Sequence, residues 1–371
     1  MQKGTNRKNK ATIFQIVQHL RPGGIEVLAL NILEKLRDHS NLMVISLEGT
    51  KDEALQSWPV LQDYRDQLIF LNKKPGWSVA TLLRLVTLFK QQRPDAVHTH
   101  HIGPMLYGGL AARITGVQTL LHTEHDGWHL TVNGTLQRKL IRLLKPAVIP
   151  VAYQVAGCLA KFCGAKATRI IHNGVDCDRF KPGDKQAARE HFSLPAKPVL
   201  IGTAGRMESV KGHRFLIEAM NGLPEHVHLV LAGDGSLRRE LEDLSAECAL
   251  SHRIHFLGRI DDMPGFYQAL DLFCLPSLNE GFPLSPLEAQ ACAVPCVLTN
   301  VGGSAETLCP HSGRLAKAGD ALDLSERLQD ALAQKKSGTA RDFILQHFEL
   351  HKTLEAYCSL YGSGMPLANH S

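Results

Sequence analysis

Short, nearly unbroken apolar runs alternate with amphipathic stretches along the whole chain, and this pattern limits the fold more than any other feature. In the first half, Thr12–Val17, Leu42–Leu47, Ala96–Thr99, Thr119–Thr123 and Arg169–His172 read as strands. In the second half, Val199–Ala204, Val227–Ala232, Ile254–Leu257, Leu272–Leu275 and Cys296–Thr299 do so. The stretches between them carry apolar residues at helical spacing, as in Val27, Leu28, Leu30, Leu33 and Leu36. Strands without a polar face are buried on both sides. The alternation therefore predicts an α/β chain with parallel sheets covered by helices on each face.

The 371 residues suit two such domains better than one. The seam is the polar, Pro- and Gly-bearing segment Lys181–Pro195, and a last helix is expected near Lys352–Tyr361, followed by a frayed tail Gly362–Ser371. A net charge of +5 fits an anionic small ligand and is too weak to point to nucleic acid. The nine cysteines are scattered and odd in number, which predicts free thiols in a reducing cytoplasm. The basic N-terminal arm (Lys3, Arg7, Lys8, Lys10) leads into an interrupted apolar run and reads as a solvated arm before a first strand, not a signal peptide. No apolar run reaches the length of a membrane span.

Four segments carry chemistry. Arg21-Pro22-Gly23-Gly24-Ile25-Glu26 is a glycine turn between the first strand and helix, suited to a close phosphate and equally to an ordinary βα turn. Gly205-Arg206-Met207-Glu208-Ser209-Val210-Lys211-Gly212 places two cations on a loop at a strand's carboxyl end, where open α/β sheets bind ligands. Two fixed cations can offset the charge of a departing diphosphate without a metal. In Glu280-Gly281-Phe282-Pro283-Leu284-Ser285-Pro286-Leu287-Glu288, a carboxylate at each end can accept hydrogen bonds from sugar hydroxyls. Glu288 has a second reading as the far end of a capping box with Ser285 at the N-cap, whereas Glu280 has no evident folding duty. Finally, His98-Thr99-His100-His101 and His122-Thr123-Glu124-His125-Asp126 close two strands with groups that can ligate metal or simply face a cleft. Gly233-Asp234-Gly235 lacks a third glycine, since Arg238 stands there, and this disfavours a dehydrogenase.

As a set and in this order, the segments resemble the family 4 retaining glycosyltransferases of GT-B fold, also called glycosyl transferases group 1. Gly23-Gly24, Thr123-Glu124-His125-Asp126 and His172-Asn173-Gly174-Val175-Asp176 match the N-terminal half, and the Arg206–Lys211 and Glu280–Glu288 segments match the donor half. The resemblance implies two Rossmann-like domains with parallel sheets facing across a cleft. Residues 1–182 would be the acceptor domain, 183–345 the nucleotide-sugar domain, and 346–371 a helix crossing back to the first domain plus the tail. It also implies that Arg206 and Lys211 bind the donor diphosphate and that Glu288 holds the ribose. Glu280, with the amides of Phe282 and Leu284, would hold the transferred sugar, Gly23 and Gly24 would pass close to the phosphates, and His125 would be the active-site histidine. The family usually needs no metal or other cofactor, the donor phosphate itself serving as base.

On this reading the enzyme moves a sugar, with a UDP-sugar as first expectation, to a glycan or lipid-linked acceptor in cell-surface polysaccharide synthesis. His98, His100 and Trp128 are acceptor-side candidates, Trp128 having a packing role as its alternative. The basic amphipathic stretch Leu136–Lys145 reads either as a charged surface helix or as a contact with the inner membrane face. Two other classes remain open: a metal-dependent hydrolase built on His98, His100 and His125, and a silent sugar-nucleotide binding protein.

Overall fold

The computed structural model describes residues 10–334 and 338–361. The arm residues Lys3, Arg7 and Lys8, the Lys335–Ser337 turn and the tail Gly362–Ser371 lie outside them. By internal contacts the chain forms two units. Unit 1 comprises residues 1–171 and 354–371, and unit 2 comprises residues 172–353.

Unit 1 is built on six strands: β1 Ala11–Val17, β2 Ser40–Ser46, β3 Leu68–Phe70, β4 Ala96–His100, β5 Thr119–Glu124 and β6 Ala147–Pro150. They lie in the order β3-β2-β1-β4-β5-β6, and every pairing is parallel. Unit 2 holds β7 Val199–Ala204, β8 Val227–Ala232, β9 Ile254–Gly258, β10 Leu272–Leu275, β11 Cys296–Thr299 and β12 Arg314–Ala316. Its order, β12-β11-β10-β7-β8-β9, is again all parallel and follows the same winding rule. The apolar runs are buried as their composition requires: β10 and β11 are buried at every position.

One strand expectation is corrected. Arg169–His172 is not a strand; it runs beside β6 through only two backbone bonds, Thr168 N to Val148 O and Ile171 N to Pro150 O. The sixth strand of unit 1 is Ala147–Pro150 instead. The three-residue strands β3 and β12 are also additions, too short to show a period in sequence.

The helix Leu350–Cys358 begins among residues of unit 2 and ends among residues of unit 1. Leu354, Tyr357 and Tyr361 are buried; the Tyr361 hydroxyl lies 2.7 Å from His98 Nδ1, and the Tyr357 hydroxyl 3.3 Å from Thr123 Oγ1. In unit 2, buried Arg189 meets Asp271 Oδ2 at 2.6 Å and also donates to the carbonyls of Ala196, Pro198 and Ala269. The same Asp271 oxygen accepts the Leu200 amide at 2.9 Å, so one carboxylate ties the entry of β7 to that of β10. Asp271→Ala would leave a buried guanidinium without its counter-charge. A loss of about 3–5 kcal/mol is expected in urea unfolding followed by circular dichroism.

Candidate active site

In an open parallel sheet, ligands bind beyond the carboxyl ends of the strands, at the point where strand order reverses. In unit 2 that point lies between β7 and β10, so the loops after these strands are adjacent. The loop after β7 carries Arg206 and Lys211, and the loop after β10 carries Glu280. Leu278 N donates to Val210 O at 2.8 Å and joins the two loops.

Lys211 Nζ donates to Glu280 Oε1 at 2.6 Å, and Ser277 Oγ donates to the same oxygen at 2.7 Å. Both charges are largely shielded, with side-chain exposures of 22% for Lys211 and 10% for Glu280. The pair sits on close-packed backbone. Gly212 takes φ +63°, and a Cβ there would come within 2.2 Å of the Pro276 carbonyl oxygen. Gly302 takes φ +51°, and a Cβ there would come within 1.7 Å of the Glu280 carbonyl oxygen, so only glycine fits beneath the carboxylate-bearing turn. Arg206 is exposed at the start of its loop.

Glu288 lies four residues into the helix Ser285–Ala291. The capping-box reading is overturned: Leu284 occupies the N-cap position and no side chain caps the helix. Glu288 Oε2 instead accepts from the hydroxyl of fully buried Tyr267 at 2.7 Å. Burial pushes the Glu288 carboxyl up from its ordinary range, with the tyrosine hydrogen bond opposing. Phe282 is buried and stacks on His172 with ring centroids 5.1 Å apart, while His172 Nε2 lies 3.1 Å from Glu306 Oε2. The His172–Asp176 segment thus packs against the turn that bears Glu280, and Leu284 follows at the start of the helix.

In unit 1 the order reverses between β1 and β4. The glycine turn follows β1, with exposed Gly23 at the N-cap of the helix Gly24–Leu36 and Gly24 as its first residue. Behind them Glu26 is buried, its Oε1 lying 3.2 Å from His19 Nδ1.

The histidines at the ends of β4 and β5 separate into two groups. His98 and His100 are fully buried, so neither presents a surface to an acceptor. His98 is held by Tyr361 and Thr123, and burial depresses its pKa to about 3. His100 Nε2 faces Gln15 Oε1 at 3.3 Å, and its Nδ1 faces His125 Nε2 at 3.0 Å. Since the Gln15 oxygen can only accept, His100 carries its proton on Nε2 and accepts at Nδ1. His125 must then donate from Nε2, and burial keeps it neutral, so its Nδ1 is left as a lone pair. His98, His100 and His125 are bound to protein partners as hydrogen-bonding rings. Among the described residues the group spaced to hold a metal is a different one, His101, Asp126 and His129. Trp128, at 62% exposure, stands out from the loop before the helix Leu130–Leu144.

Residues 184–344 match the family model of the glycosyl transferases group 1, and residues 22–179 match that of glycosyltransferase family 4. The chain belongs to this family. The glycosyltransferase shares its GT-B fold with HepE of Anabaena, crystallised with UDP and glucose, at a TM-score of 0.81 and 22% identity over 94% of this chain and 98% of that one. It is 30% identical, over 61% of its own length and 63% of the relative's, to the UDP-Gal:alpha-D-GlcNAc-diphosphoundecaprenol alpha-1,3-galactosyltransferase of Escherichia coli. It is 33% identical, over 56% of both chains, to a D-inositol 3-phosphate glycosyltransferase of Xylanimonas cellulosilytica. Both matches span less than two thirds of the relatives' lengths.

Tyr267 and Gly302 escape a reading of the glycosyltransferase's sequence because each acts on a motif residue from a distant stretch, and Ser277, close to Glu280, because a lone serine shows no pattern of its own. Glu26 is visible beside the glycines, but its burial is not. That burial raises its carboxyl to about 7, a backbone hydrogen bond working against the shift. Because the folded pKa exceeds the unfolded one, Glu26 takes up a proton on folding. Its stabilising linkage is present below about pH 4.5 and is lost as pH rises through 7. Thermal unfolding across pH 4.5–8 should show Glu26→Gln without this component, which amounts to roughly 3 kcal/mol in the wild type.

Proposed function

We propose that the protein transfers a sugar from a nucleoside-diphosphate sugar, with UDP-sugar as the donor, to a glycan or lipid-linked acceptor with retention of configuration. The Lys211–Glu280 pair carries this reading. An ammonium and a carboxylate share one oxygen contact beside an exposed arginine, at the switch point of a parallel sheet. When a donor enters, its diphosphate is a stronger counter-charge for Lys211 and Arg206, and Glu280 is released to accept from hydroxyls of the transferred sugar. The amides of Phe282 and Leu284, later in the same turn, would donate to the same sugar. Glu288 accepts from the ribose hydroxyls with its second oxygen while Tyr267 holds the first. Gly23 and Gly24 open a helix in unit 1, an N-terminus of the kind that receives phosphate.

In the transfer, the bond from the anomeric carbon to the diphosphate oxygen breaks as the acceptor oxygen bonds to the same face of that carbon. The acceptor proton passes to the departing phosphate, giving the glycosylated acceptor and a nucleoside diphosphate. Arg206 and Lys211 stabilise the charge that builds on the leaving group, so no metal is required at the diphosphate. Neutral His125 offers its Nδ1 lone pair to a sugar hydroxyl as a positioning contact. The galactosyltransferase relative, named for a UDP donor and a diphosphoundecaprenol acceptor, supports both the donor and the lipid-linked acceptor class.

Transfer assays with a panel of nucleotide sugars test the reading directly. Lys211→Ala should raise the transition-state barrier by about 3 kcal/mol, on the scale of one preorganised donor. Glu280→Gln should impair sugar transfer more than nucleotide affinity, and EDTA should leave nucleotide affinity unchanged. Near-wild-type turnover of Lys211→Ala would remove the diphosphate assignment.

The acceptor class also accounts for the helix Leu130–Leu144. Its outer face shows Val132, Leu136 and Leu143, with Trp128 before it, among Lys139, Arg142 and Lys145. We propose that this face rests on anionic lipid at the inner face of the cytoplasmic membrane, as a peripheral contact in polysaccharide biosynthesis. Among the described residues no helix is long and apolar enough to cross a membrane. Co-sedimentation with anionic liposomes at low salt should retain the wild type and lose Val132→Asp/Leu136→Asp; equal recovery of both would sink the contact.

A further inference from the structure

The helices Val79–Gln92, Leu110–Thr115 and Leu130–Leu144, which lead from β3 to β4, β4 to β5 and β5 to β6, carry no acidic residue. Right-handed crossovers on a sheet that reverses between β1 and β4 put all three on the same face. Their buried residues Leu85, Phe89, Ala111, Ala112, Leu140 and Leu144 accordingly share one core cluster. Residues 67–175, which contain these helices and their flanks, hold thirteen Lys and Arg against three Asp and Glu, a surplus of ten where the whole chain has five. Of the three acids, Glu124 is buried, Asp126 is held by His129, and Asp95 accepts the Thr12 amide at the amino ends of the strands. The helices of the opposite face mix their signs, with Glu26, Glu34 and Lys35 in Gly24–Leu36 and Lys51, Asp52 and Glu53 in Lys51–Ser57. The positive charge of unit 1 is therefore segregated to one side.

The same side gathers apolar surface. Among the described residues, eight of the fifteen exposed large apolar side chains stand on these helices or just before them, so the clustering is not a general property of the surface. Besides those of the helix Leu130–Leu144, a second group opens the helix Val79–Gln92. Val79 and Leu83 are 56% and 60% exposed; four residues apart, they point away from buried Leu85 and Phe89, with exposed Lys90 on their side of the helix. Trp77 is 58% exposed yet fixed, its ring stacked on that of buried Tyr107 with centroids 5.1 Å apart. The Tyr107 hydroxyl in turn accepts from the Ser78 amide at 2.8 Å. Trp77 and Trp128 each stand two residues before a helix that begins past the carboxyl end of a strand, so both mark the edge of the face where the loops after β4 and β5 lie.

We propose that Trp77, Val79 and Leu83 form a second lipid anchor, and that the whole three-helix face rests on an anionic bilayer with the carboxyl edge of the sheet turned toward it. This rests on the lipid contact of the helix Leu130–Leu144 given above and adds to it an independent anchor and an orientation. Lysine is depleted at the centre of protein–protein interfaces, whereas apolar tips led by tryptophan and ringed by cations of one sign suit a surface of anionic headgroups. A lipid-linked acceptor then reaches the loops after β4 and β5 with its hydrocarbon still in the bilayer.

Flotation of the full chain with vesicles of mixed phosphatidylglycerol and phosphatidylcholine separates the two anchors. Val79→Asp/Leu83→Asp should lower partitioning by at least ~10-fold although Val132 and Leu136 are intact, the scale of losing one inserted apolar side chain. Both positions are exposed and open a helix, where Asp is well tolerated, so circular dichroism should show an unchanged fold. A second readout needs no charge substitution: Trp58→Phe/Trp128→Phe leaves Trp77 as the single tryptophan. Its emission should shift to the blue on these vesicles and be quenched by phospholipid brominated near the headgroup. Full binding by Val79→Asp/Leu83→Asp, with loss in Val132→Asp/Leu136→Asp, would leave the single-helix contact standing and overturn the second anchor, as would an unquenched Trp77. The reverse pattern would remove the contact of the helix Leu130–Leu144 and keep Trp77–Leu83 as the anchor. A wild type that ignores the vesicles would overturn both. A dimer seen by sedimentation without lipid, and dissolved by Val79→Asp/Leu83→Asp, would assign the face to a second copy of the chain and overturn the lipid reading.

Discussion

Everything chemical in this protein depends on where its two parallel sheets reverse their strand order. Parallel strands joined by right-handed crossovers send successive helices to the same face until the winding changes direction, and at that point two loops part without a crossover between them. In unit 1 these are the loops after β1 and β4; in unit 2 they are the loops after β7 and β10. Sheet order alone therefore gathers Gly23 and Gly24 with His101 in one unit and Lys211 with Glu280 in the other. Side chains 69 positions apart in sequence become hydrogen-bonded neighbours.

At the unit 2 reversal the protein holds opposite charges against each other instead of leaving them to water. The Lys211–Glu280 contact keeps each group partly desolvated and already oriented, with Ser277 and the close approach of Gly302 fixing the carboxylate end. The rearrangement on donor entry is then an exchange of partners rather than a search by two flexible side chains. Tyr267 serves Glu288 in the same way from within the core. In unit 1 the same arrangement appears as a chain of neutral groups, Gln15–His100–His125, whose single consistent proton placement sets which nitrogen of His125 is left open to chemistry.

The double α/β alternation was legible because buried parallel strands have a composition of their own, and the glycine-bounded Arg206–Lys211 loop and the Glu280 turn stand out within it. What the sequence hid was of three kinds. Edge strands such as Leu68–Phe70 and Arg314–Ala316 are too short to show any period, and Arg169–His172 imitates a strand through its adjacent Ile170 and Ile171 while only running beside β6. Ser285-Pro286-Leu287-Glu288 has the letters of a capping box, but the chain enters the helix one residue early and Glu288 finds Tyr267 instead. Clustered histidines look alike as letters, yet burial seals His98 and His100 inside among neutral partners, while His101 and His129 lie against the carboxylates of Glu124 and Asp126. Burial and tautomer come from tertiary neighbours, so no local pattern announces them.

The buried tyrosines of the last helix also set an order of events during synthesis. Unit 1 takes its first 171 residues from the start of the chain, but Tyr357 and Tyr361, which hold Thr123 and His98, leave the ribosome only after all of unit 2. Until then the ends of β4 and β5 lack two of their partners, and a sheet begun first is finished last. Loss of the Tyr357–Tyr361 segment would thus injure unit 1, not the unit it follows in sequence.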